Sequence, residues 1–159
     1  MTTKAEQAPM TEDKLIELGK RALDCRHWRW MPGMAWILPP SARASWPARL
    51  HNGRYPIPKG IVPIPDFNDP ATRGCLLSLV REATGLMAYA EPEYIEAGEP
   101  NSLPESEEQL ESGIYWFIWN VEDGVPVWER STSLSNGYPR SEIEALVDAL
   151  EAAHSQEDL

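Results

Sequence analysis

Apolar residues recur at helical spacing in three separate stretches, and each stretch carries its own start signal. Thr11 precedes Glu12 and Asp13, an N-cap followed by acids in the first turn, where the helix dipole favours negative charge. Leu15, Leu18, Ala22 and Leu23 then fall on one face, so the spacing predicts a helix over 12–25. Gly19 lies inside it and weakens it by about 1 kcal/mol relative to Ala, unless another backbone packs closely there. Asp69-Pro70 is the second start: Asp69 can accept from the N–H groups of the first turn, and Pro70 gives up an N–H that has no intrahelical partner. Cys75, Leu76, Leu79, Val80 and Ala83 form the stripe and Gly85 the stop, which predicts a helix over 70–84. Ser141 followed by Glu144 fits a capping box, with Pro139 just upstream. Ile143, Leu146, Val147 and Leu150 share one face of a helix predicted over 141–153.

A different pattern runs through Ile114-Tyr115-Trp116-Phe117-Ile118-Trp119, which is apolar on both alternating faces. Such a segment reads as a central strand buried front and back beneath helices. Glu122-Asp123-Gly124 reads as a hairpin turn into a partner strand over 125–132, and Asn136-Gly137 as a further turn. Short strands are expected at 35–38, 47–51 and 92–97. Between His27 and Ile64 stand four of the seven tryptophans and seven of the fifteen prolines, so long regular elements cannot run through that region. Residues 98–112 are polar and acidic, are broken by Pro100 and Pro104, and read as an exposed loop. The inventory predicts an α+β fold: a small, mainly antiparallel sheet packed with about three α-helices, an α/β sandwich. One domain over 11–153 is expected, with flexible tails at 1–10 and 154–159.

Composition narrows this picture. A chain of 159 residues suits one domain, and 42% hydrophobic residues exclude wholesale disorder. No run approaches the roughly 18 apolar residues of a membrane span, and MTTKAEQAPM lacks the apolar region of a signal peptide. No membrane association is expected. Cys25 and Cys75 form neither a CxxC nor a disulfide framework, which suits a reducing cytoplasm.

Charge adds an asymmetry. The formal net charge is -11, yet residues 1–90 carry 12 basic and 8 acidic side chains while residues 91–159 carry 2 and 17. Between Lys20 and Lys59 there are 8 basic residues against Asp24 alone, and between Glu91 and Glu111 there are 8 glutamates and no base. The two windows could lie together and screen one another, which is worth little. Alternatively, one is a docking surface, since a localised field steers charged partners. The overall charge opposes direct nucleic-acid binding, whereas a basic protein surface suits the acidic window, and Glu105, Glu107, Glu108 and Glu111 are its candidate contacts. Arg26, Trp28, Arg29, Trp30, Trp46, Arg49 and Arg54 interleave cations with flat aromatic surfaces, a possible ligand or interface patch. The plainer reading, and the preferred one, has Trp28, Trp30 and Trp36 sealing the core edge while the arginines stay solvated.

Catalytic chemistry finds little support. His27, His51 and His154 are isolated, and Cys25 beside His27 is only a fragment of a metal site. Cys75 falls on the stripe of the second helix, where a small thiol is ordinary packing. Asp66 and Asp69 could pair, but a cap and a loop bond explain them better. No catalytic residue, metal or cofactor is expected, and the chain does not read as an enzyme.

Three stretches carry a resemblance: Trp30-Met31-Pro32-Gly33-Met34, the segment from Pro65-Asp66-Phe67-Asn68-Asp69-Pro70 through Leu77, and Ser141-Glu142-Ile143-Glu144-Ala145-Leu146. Their order resembles that in small bacteriophage and prophage proteins of the phage ABA-sandwich type, over about half of the chain. The resemblance implies an α/β sandwich, a phage origin and the cytoplasm of the infected host; it carries over no active site. Residues 37–64 and 98–112 depart from the shorter family pattern. The function then implied is that of a non-enzymatic accessory protein that binds and inhibits a host protein. Its most concrete form is a counter-defence, anti-CRISPR-like inhibitor of a nucleic-acid-binding defence component. Two alternatives are a binder that sequesters a nucleotide signal between Trp and Arg residues of 26–54, and a minor virion or assembly component. Open sheet edges and exposed Trp would also permit a homodimer.

Overall fold

A computed structural model describes residues 10–44, 51–95, 113–122, 124 and 141–157. In chain order its elements are α1 (Glu12–Asp24), β1 (Ala35–Ile37), α2 (Pro40–Arg43), β2 (Asn52–Arg54), β3 (Ile64–Pro65), α3 (Pro70–Thr84), β4 (Ala88–Ile95), β5 (Gly113–Asn120) and α4 (Glu142–Glu157). Each start signal operates as its chemistry dictates. Lys14 N–H donates to Thr11 Oγ1 at 3.4 Å, Thr72 N–H to Asp69 Oδ2 at 3.0 Å, and Glu144 N–H to Ser141 Oγ at 3.1 Å. Gly85 closes α3 in the left-handed region at φ 68°, its N–H donating to the Arg81 carbonyl. α4 continues past 153 to Glu157 because neither Gly nor Pro interrupts it. Met10, assigned to a tail by the sequence pattern, instead packs half-buried against the core and donates its N–H to Asn68 Oδ1 at 3.2 Å.

The fold is a small α+β one with two antiparallel sheets among the described residues. The first has the order β2-β1-β3, with Trp36 opposite Gly53 and Pro65. Gly53 lies directly under the Trp36 indole, where a Cβ would meet ring carbons at 2.3 Å. The second is the β4–β5 ribbon, paired from Ala88–Asn120 at one end to Ile95–Gly113 at the other. Among the described residues β5 is thus bonded to the strand before it. The expected turn is present, with Gly124 at φ 65° donating to the Asn120 carbonyl at 2.9 Å. The expected strand over 125–132, the turn at 136–137 and the loop over 98–112 lie outside the described residues.

The sequence pattern needs correction at several points. β2 forms at Asn52–Arg54 where a strand was expected at 47–51, of which 47–50 lie outside the described residues. β4 begins at Ala88, earlier than 92, because the whole of that segment matches β5 in register. α2 and β3 were not anticipated; each is too short for a periodic signal. The two-sided burial expected of Ile114–Trp119 holds only mid-strand: Phe117 and Ile118 are 1% and 4% exposed on opposite faces, whereas Ile114 is 50% exposed. An apolar alternation cannot reveal where along its length a strand leaves the core.

The main core lies around α4, which contacts α1, α3, β4 and β5. No residue from Ser141 to Ala153 is exposed. Ala145, Ala149 and Ala153 are buried beside Ile143, Leu146, Val147 and Leu150, so the helix is enclosed on more than the one face its large residues mark. A smaller cluster of Trp36, Leu38 and Ile61 lies apart from it, and Trp30 packs against both. No helix among the described residues is long and apolar enough to cross a membrane.

Gly19 is explained by β3. A Cβ there would stand 2.3 Å from Ile64 Cγ2, and Ile64 is itself buried. Gly19→Ala should therefore destabilise the protein by about 1 kcal/mol, since overpacking of about 1–3 kcal/mol outweighs the roughly 1 kcal/mol gain in helix propensity. Urea unfolding measures this directly. A stabilised variant would mean that β3 yields to α1.

Candidate functional site

Among the described residues, Arg21, Arg29, Arg43 and Arg54 of the basic window are already engaged. Arg54, at the end of β2, grips Asp69 through Nη1 and Nη2 at 3.2 and 2.9 Å and donates to the Gly33 carbonyl at 3.0 Å. Those bonds, with the two from Thr72, hold the Asp69 carboxyl below its ordinary value despite some desolvation. Thr72 Oγ1 donates to Asp69 Oδ2 at 2.9 Å and accepts from Ala35 N–H at 2.8 Å, so one cap joins α3, β1 and β2. Arg29 makes a fork-to-fork pair with Glu82 of α3, both bonds at 2.7 Å, between two exposed side chains. Arg43 bonds Glu12 of α1 at 2.9 Å and the Leu38 carbonyl at 3.1 Å.

Arg21 is the most enclosed of these arginines. Its guanidinium lies against α4, reaching Asp148 at 2.5 Å and Glu151 at 2.8 and 2.9 Å. Burial pushes the Asp148 carboxyl up to about 6, more than Arg21 pulls it down. Cys25, one turn on, donates its thiol to the Arg21 carbonyl at 3.3 Å, and burial pushes its pKa up to about 11. A thiol so protonated is a poor nucleophile at neutral pH.

Among the described residues the predicted ligand patch is only partly assembled. Trp28 meets Trp30 edge-on at 5.5 Å between ring centroids and Phe67 at 6.1 Å, and both tryptophans are half-buried against the core. Arg26 is exposed beside them. Arg29 and Arg54 are taken by carboxylates, while Trp46 and Arg49 lie outside the described residues. Among the described residues, the acids that meet Arg21, Arg29, Arg43 and Arg54 come from α1, the α3 cap, α3 and α4. Among the described residues no group of three or more His, Cys, Asp or Glu could hold a metal ion.

Glu105, Glu107, Glu108 and Glu111 lie outside the described residues, but the acidic run begins on β4, where Glu91 and Glu93 are exposed on one face of the ribbon. No ion pair among the described residues uses either of them. The ribbon's other face carries Ala88, Ala90, Pro92 and Tyr94 opposite Asn120, Ile118, Trp116 and Ile114. Burial falls steadily along it: Ala88 and Asn120 are enclosed, Trp116 half-buried, and Tyr94 and Ile114 are 68% and 50% exposed.

No protein-family model, curated protein or solved structure matches this chain. The three motifs that the sequence analysis set beside phage ABA-sandwich proteins take structural places here. Met34 N–H closes a turn on the Met31 carbonyl at 3.1 Å, Asp69 caps α3, and Ser141 caps α4. The exposed apolar end of the ribbon is absent from the sequence reading. Pro92 was its signal: within a strand it demands an edge, and an edge strand can overhang a core.

Proposed function

We propose that the chain is a non-enzymatic binding protein that occupies a basic surface of a host protein and blocks it. Its concrete form is a phage counter-defence inhibitor acting in the infected cell, a setting that follows from the motif resemblance alone. The observation that carries the binding reading is the disposition of charge. Arg21, Arg29, Arg43 and Arg54 are neutralised internally, while Glu91 and Glu93 are exposed and enter no ion pair among the described residues. A field of one sign on one side favours encounter with a surface of the other. Nucleotide sequestration gains less support, because carboxylates already fill the forks of Arg29 and Arg54 that a phosphate would need.

The test is capture of partners from host lysate at low and high salt, followed by titration of the purified partner's own activity. Glu107→Lys with Glu108→Lys should weaken binding about tenfold and flatten its salt dependence. Unchanged affinity would remove the acidic loop from the contact, and a chain that retains and inhibits no host protein would end the proposal.

A further inference from the structure

We draw no further inference here: the strongest candidate, the exposed apolar end of the β4–β5 ribbon at Pro92, Tyr94 and Ile114, carries nothing because no described part of the structure shows what covers it.

Discussion

Replacing Arg21 with Met should lower stability by about 3 kcal/mol near neutral pH and by much less near pH 5. The Arg21 and Asp148 side chains are only 19% and 14% exposed, and the long cation lies between Asp148 and Glu151 where α1 meets α4. Without it Asp148 must either stay ionised in a poorly solvated position or take up a proton near neutral pH, and either penalty exceeds what a surface pair would forfeit. The pH dependence follows from the direction of the shift. In the fold Asp148 titrates at about 6, whereas an unfolded aspartate titrates at about 3.9. The folded state therefore binds this proton more tightly. The stability contributed by this group is complete below about pH 4 and is lost as pH rises through about 6. Removing Arg21 takes away the one charge pulling that value down, so the window extends further towards alkaline pH. Urea unfolding at the two pH values should show the deficit of the variant shrinking on acidification. Arg21→Met combined with Asp148→Leu should recover most of the loss at neutral pH, since an apolar pair replaces a costly ionic one. Equal deficits at both pH values would show that packing of the Arg21 stem, not the charge, joins these helices.

Thr72→Val should cost about 2–3 kcal/mol although it preserves shape. Thr72 is wholly buried, and its hydroxyl is used twice: it donates to the capping carboxylate of Asp69 and accepts from the N–H of Ala35. Valine fills the same volume but leaves that N–H without an acceptor in a closed site, where an unmade bond is expensive. Thr72→Ser keeps the hydroxyl and loses one methyl group, so it should cost only about 1 kcal/mol. Amide exchange at Ala35 should accelerate strongly in the Val variant and little in the Ser variant. A Ser variant as unstable as the Val variant would mean that the methyl group, not the bridge, is what α3 and β1 share.

The sequence made the helices legible for a local reason. Thr11, Asp69 and Ser141 act within the next turn, and the N–H groups they accept from lie three residues away in the chain. Nothing distant is needed for such a signal to be read. Gly19 was legible in part: its cost to α1 was evident, and only β3 supplied the reason. Ala145, Ala149 and Ala153 were not legible as core, because alanine suits a buried and an exposed helix face equally. The candidate site fared worst. Arg29 and Arg54 stand among aromatic residues in the chain, and in space they reach Glu82 and Asp69, partners that neighbouring residues could not announce. Tyr94 and Ile114 looked like strand interior because alternation marks an apolar position without saying how far the supporting helices extend.

Sequence alone determined where α1, α3 and α4 begin, that β5 is a strand ending in a glycine turn, and that charge is divided between the two ends of the chain. Those properties depend on contacts within a turn or on counting. Tertiary structure decided that β5 pairs with β4, which carboxylates meet Arg21, Arg29, Arg43 and Arg54, and which end of the ribbon leaves the core. Those outcomes depend on pairs brought together from far apart in the chain, as with Arg21 and Asp148, and on the finite reach of the helices beneath the ribbon. An ion pair or an overhang exists only once the backbone has placed both partners, so no local pattern encodes it.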